Sequence, residues 1–151
     1  MGNQQRRTRT LGELTMRKDH WQPLYHAEVE KALHEPFAWG QNDCATFASR
    51  VIDAISDLDT KAKLAAAGMV WDSELGAAKV IAKAGGLEHA LSFILGEPVK
   101  WALCMHGDCM LATDGGGQEV VAVHDGSQLL ATSAGGLISL PLERAIKGWR
   151  I

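Results

Sequence analysis

Pro36-Phe37-Ala38-Trp39-Gly40-Gln41-Asn42-Asp43-Cys44-Ala45-Thr46-Phe47-Ala48-Ser49-Arg50-Val51 is the stretch on which the reading of this chain turns. Pro36 closes whatever helix precedes it, because the residue before a proline is pushed out of the helical region. Asn42 and Asp43 are favourable N-caps, and the apolar residues beyond them recur at helical spacing. The pattern predicts a helix that starts at Cys44 and runs to about Ser56. A thiol in the first turn faces unpaired backbone N–H groups and the positive end of the helix dipole, which stabilise the thiolate and lower its pKa. Cys44 is therefore a candidate nucleophile. Cys44, Phe47, Ala48, Val51 and Ile55 also form one apolar stripe, so the same cysteine suits a small core side chain.

On the N-terminal side, Trp21, Tyr25, Val29, Ala32 and Leu33 recur at helical spacing, which predicts a first helix near 21–34. Residues 1–18 are polar, nonperiodic and basic, and read as a flexible arm outside the folded body of 19–151. On the C-terminal side, Lys61 to Gly68 predicts a short alanine-rich helix. Asp72 or Ser73 caps another, which runs through Leu75, Ala78, Ile81 and Ala82 and is stopped by Gly85-Gly86. Leu87 to Leu95 predicts a further helix, stopped by Gly96 and Pro98. Short apolar runs then replace helical periodicity at 109–112, 119–124, 128–132 and 136–140, separated by Gly/Asp/Ser turns. A final short helix is predicted around Leu142 to Lys147. Helices first and an antiparallel meander second make an α+β domain.

Composition narrows the function classes. Hydrophobic residues make up 46% and charged residues 22%, as in ordinary globular proteins, and the net charge of −3 speaks against nucleic acid as the main partner. Residues 1–19 carry five basic side chains against Glu13 and Asp19, which leaves a body with ten basic and sixteen acidic side chains. Three cysteines form no disulfide framework, and the expected site of folding is a reducing cytoplasm. No run approaches the roughly 18 apolar residues of a membrane span. No signal peptide is expected, since the arginines of the N-terminus lack an apolar core.

The aromatic-Trp-Gly turn followed by Asp43-Cys44 at a helix start resembles the nucleophile segment of the NlpC-type cell-wall cysteine peptidases, a branch of the papain-like superfamily. More closely, Phe37-Ala38-Trp39-Gly40 with Asp43-Cys44-Ala45-Thr46-Phe47 resembles a phage and prophage tail-module family of unknown function related to those peptidases. Further matching pieces are Glu74-Leu75-Gly76-Ala77-Ala78, Gly85-Gly86-Leu87-Glu88, Leu95-Gly96, Gly107-Asp108, Leu140-Pro141-Leu142 and Trp149-Arg150. The resemblance implies a papain-like domain with no cofactor, made in the host cytoplasm and carried in a virion tail. Its partners would be other tail or hub proteins. Peptidoglycan would be its substrate at the cell envelope, if the site is active.

Cysteine catalysis needs a histidine to take the thiol proton and a group to orient that histidine. Laid on Val120-Val121-Ala122-Val123-His124-Asp125-Gly126, the NlpC-type pattern puts Val120 at the histidine position and the orienting group near Ala131. His124 has the alternation parity of Val120 but lies four residues on, roughly 13 Å along a strand. His106, before Gly107-Asp108, is the other candidate base. Cys104, His106 and Cys109 would be metal ligands at an uncommon spacing, and fit apolar packing as well. Two functions follow: a tail-tip structural component with a degenerate site, or a peptidoglycan peptidase with Cys44, Asp43 and His124 or His106 as its machinery.

Overall fold

Local signals decide the first half. In the computed structural model, which describes residues 17–151, Trp21–His34 forms α1 and Cys44–Ile55 forms α2. Asp43 accepts from the Thr46 amide at 2.8 Å while the Thr46 hydroxyl accepts from the Asp43 amide at 2.9 Å, a reciprocal capping box that fixes where α2 begins. Asp59 and Ser73 cap α3 (Thr60–Ala66) and α4 (Glu74–Ala84). α4 stops at Gly85, and α5 (Leu87–Leu95) stops at Gly96. Helical spacing does not by itself mark the buried side: Leu33 is 56% and Leu75 66% exposed, and Ala78 and Ala82 are exposed too. In α4 it is Ala77 that is buried, and Glu74, Ala77, Ala78, Val80 and Ile81 of this helix line a cavity.

The second half is one antiparallel sheet of β1 (Val99–Lys100), β2 (Cys109–Thr113), β3 (Glu119–His124), β4 (Leu129–Ser133), β5 (Gly136–Leu140) and β6 (Ala145–Trp149), in the order β1-β6-β2-β3-β4-β5. The expected helix at Leu142 to Lys147 is corrected to a 3-10 turn at Leu142–Arg144 followed by β6. A six-residue helix is marginal on its own, whereas the slot between β1 and β2 offers ladder hydrogen bonds on both sides. Trp149 anchors the strand, buried with its Nε1 donating to the Gly96 carbonyl at 3.0 Å.

Alternation divides the sheet into two faces. Cys109, Leu111, Val121, Val123 and Leu130 meet Tyr25, Phe47, Val51 and Ile55 of the helices. Met110, Ala112, Ala122, Leu129 and Ala131 form a second cluster. The result is an α+β domain with five helices among the described residues, none of them long and apolar enough to cross a membrane.

Of the expected arm, residues 1–16 lie outside the described residues, but Arg17 and Lys18 belong to the folded body. The Lys18 amide donates to the Ile55 carbonyl at 2.8 Å. Arg17 is buried, donates to Asp108 at 2.7 Å and to the carbonyls of Ile151 and His106, and lies over the Trp21 ring. Asp108 also accepts from the amides of Met105 and Ile151. Gly107, at φ 94°, lies so close to the Arg17 guanidinium that a Cβ there would collide with it. Gly107-Asp108 thus ties both ends of the described chain to the sheet.

Candidate functional site

β3 and β4 pair at Val123–Leu130 and His124–Leu129 and then part, although β3 begins at Glu119 and β4 runs on to Ser133. The N-terminus of α2 is seated at this opening. Cys44 packs against both core clusters, as a side chain set into a gap between strands does. Amide directions alternate along β3: His124 donates to Asp108 on the β2 side and Asp125 to Gln128 on the β4 side. Val121 has the parity of Asp125, so its N–H faces the gap. There it bears on the Cys44 sulfur, together with the N–H groups of Ala45 and of Cys44 itself.

Asp43 is buried and its carboxylate is a clasp. Besides Thr46 it accepts from the Gly40 amide at 2.7 Å and from Trp71 Nε1 at 2.6 Å. Gly40 takes φ 80°, and a Cβ there would run into the Trp71 carbonyl, so the Trp39-Gly40 turn and Trp71 are closed on one another through Asp43.

The expectation of an acidified Cys44 is overturned. Burial raises the thiol pKa, the Asp43 carboxylate raises it further, and the N–H groups of Val121, Ala45 and Cys44 oppose this without reversing it. A helix terminus is worth about 0.3–1 kcal/mol at an exposed site, whereas burial can move a pKa by several units. Desolvation wins.

The candidate bases are elsewhere. His124 is buried at the far end of β3, where its Nδ1 accepts from the Gly126 amide at 3.0 Å. His106 is packed against the rings of Trp21, Tyr25 and His26, with its Nε2 3.9 Å from Asp125. Tyr25 donates to Asp125 at 2.6 Å, and with His26 these side chains form one aromatic and imidazole cluster. Burial lowers the pKa of both His106 and His124, against the pull of Asp125 on each and of Asp108 on His124. No imidazole is among the groups that act on Cys44. Val120, at the position expected for a histidine, lines the cavity beside Cys44, and Ala131 is buried in the second cluster. The string Cys104, His106, Cys109 is dispersed: Cys109 faces the helices, Cys104 packs in the second cluster and His106 lies in the aromatic cluster. Among the described residues no group of three or more His, Cys, Asp or Glu is placed to hold a metal ion.

Beside Cys44 opens a cavity of about 700 Å³, bounded by α2, α4, α5 and the parted ends of β3 and β4. Its wall is largely aliphatic and aromatic. The charged residues on it are Asp43, Glu74, Asp114 and Glu119, with no lysine, arginine or histidine. Thr132 lines it too, 4% exposed, and its Oγ1 has no hydrogen-bond partner among the described residues. The register of β3 and β4, if continued, would set Thr132 opposite Val121, so the orphaned hydroxyl lies across the gap from the amide that reaches Cys44. Sequence reading missed both Trp71 and Thr132. Thr132 carries no local signal, since its isolation follows from β4 leaving β3, and Trp71 reads simply as a residue before the cap of α4.

No curated protein matches the chain. A family model described as a domain of unknown function, DUF6950, matches residues 16–151, which covers α1 to β6 and every residue of the cavity. By that match the chain belongs to the DUF6950 family.

Proposed function

We propose that the protein is a non-hydrolysing NlpC-like, papain-fold domain that serves as a structural or hub-binding component of a phage or phage-like tail tip. The resemblance of the Asp43-Cys44 segment supports this reading, as does the chain order of a Cys-initiated helix packed on a later antiparallel sheet. The observation that carries the loss of hydrolysis is the wall beside the thiol. Val120 and Val121 stand where a base would have to act, while His106 and His124 are held at the other end of the strand.

Without a base, general acid–base help worth roughly 10²- to 10⁴-fold is missing. Purified peptidoglycan incubated with the protein is expected to release no stem peptides. Val120→His is expected to gain a release that Cys44→Ala abolishes, kept small by the lack of an orienting group at Ala131. The reading is overturned if the unmodified protein already cleaves peptidoglycan and loses that activity in both Cys44→Ala and His124→Ala. In that case the domain is a working cysteine peptidase with His124 as base.

A further inference from the structure

We propose that β5 is a pairing edge, which joins the β5 strand of a second copy of the chain, antiparallel across a twofold axis, to make a dimer with one continuous sheet. The argument is independent of the tail-tip reading and rests on the two edges of the sheet.

The edges are unlike. β1 is two residues long, carries the exposed Lys100 and follows Pro98, and a short strand with a lysine and a proline beside it is a poor template for further pairing. β5 has five residues in unbroken register with β4 from Gly136 to Leu140. Its sequence Gly136-Leu137-Ile138-Ser139-Leu140 has no charge and no proline, and residues 133–142 contain no charged side chain at all. The devices that blunt β1 are missing from β5.

The direction of the backbone groups of β5 follows from the hairpins. Asp125 donates to Gln128, so the even-numbered residues of β4 turn their amides and carbonyls to β3, and Leu129, Ala131 and Ser133 turn theirs to β5. Opposite these lie Leu140, Ile138 and Gly136. The N–H and C=O groups of Leu137 and Ser139 therefore point outward from the edge of the sheet, and no group among the described residues hydrogen-bonds them.

A second copy completes this edge in one register. With the axis at Ile138, Leu137 of each copy is opposite Ser139 of the other, and both pairs exchange N–H···O=C bonds in both directions, so every outward group is used. Ile138, which packs on the second cluster, meets its own counterpart. A twofold brings each residue near its own copy, where like charges would repel, and residues 133–142 have none. α1 packs on β5 and its Glu28 reaches Arg50 of α2 at 3.6 Å, while Leu33, about 140° further round the helix, is 56% exposed. An apolar side chain is thus uncovered on the side of α1 turned away from α2, where the sheet ends. The pairing also closes: each copy has one such edge, and the joined sheet ends in β1 on both sides, which gives a dimer and not a fibre.

Sedimentation equilibrium of the full chain from about 10 μM to about 1 mM is expected to show a mass rising towards twice that of the monomer, since a five-residue pairing is small beside the roughly 1,200 Å² of stable interfaces. Exchange of the Leu137 and Ser139 amides is expected to slow over the same range. Ser139→Pro removes an outward donor and no bond to β4, and edge strands tolerate proline at such positions, so this variant is expected to lose the dimer and keep the fold. Ser139→Ala is expected to retain the dimer, because the bonds are made by backbone. Ser139→Lys sets like charges on diagonal neighbours about 7–8 Å apart across the axis and is expected to weaken the dimer, which keeps the test decisive if Ser139→Pro does not fold. Any of three results overturns the proposal: a monomer throughout the range, which leaves β5 to a strand of a different protein; a dimer unchanged in both Ser139→Pro and Ser139→Lys; or exchange at Leu137 and Ser139 that is indifferent to concentration.

Discussion

At the Glu119–Val121 end of β3 the sheet is open, and Cys44, Val121 and Thr132 line one largely apolar cavity. At the His124 end the sheet is closed: Arg17 and Asp108 are paired beneath it, Tyr25 is bonded to Asp125, and two imidazoles are packed among rings and carboxylates. The thiol and the imidazoles that a cysteine hydrolase would bring together are therefore at opposite ends of a single strand. Most polar groups of the closed end answer one another and hold the chain, although the buried His106 Nε2 has no hydrogen-bond partner among the described residues. At the open end Asp43 is bonded to Thr46, Gly40 and Trp71, and the buried Thr132 hydroxyl has no hydrogen-bond partner among the described residues.

If the closed end is the anchor, breaking it gives the largest effect. Arg17→Ala leaves the fully buried Asp108 carboxylate without its Arg17 counter-charge, and about 3–5 kcal/mol of stability is expected to be lost, measured by urea unfolding. A chain beginning at residue 19 loses the same pair, so its melting temperature falls, contrary to what the polar character of residues 1–18 suggests. A melting temperature unchanged by either alteration would remove the distinction between the ends.

At the open end the opposite sign is expected. Thr132→Val removes a buried hydroxyl that has no protein partner, and the protein is expected to hold or gain stability, by up to about 1–3 kcal/mol in the same urea experiment. A marked loss would mean that the hydroxyl is satisfied in solution and that the two ends are alike.

The smallest effect is a pH dependence confined to the closed end. His106 and His124 have folded pKa values held below the ordinary 6.5 by burial, so the unfolded chain takes up protons before the folded one. Stability is fully present above about 6.5 and falls as the pH drops from there through the depressed folded values. Asp125 and Asp108 offset part of the shift. The double variant His106→Gln, His124→Gln is expected to flatten the unfolding free energy between pH 7 and 5, whereas Thr132→Val leaves that slope as it was.

The sequence by itself determined the helices, because their starts and stops are local chemistry. Asp43 with Thr46, Asp59, Ser73, Gly85 and Gly96 are each legible within a few residues of the end they make. It also determined that Cys44 opens α2, and located β2 to β5 through their apolar runs. Tertiary structure decided the rest. β1 and β6 are strands because each has a partner to pair with, and Leu142 to Lys147 contains nothing local that distinguishes strand from helix. Whether the thiol is acidic was decided by desolvation, which depends on what packs around it and not on its place in a helix. Whether it has a base was decided by the register of β3, since side chains four residues apart on a strand cannot exchange places. The isolation of Thr132 was decided by two strands that pair for two residues and then separate, a property of the sheet that no residue in either strand carries alone.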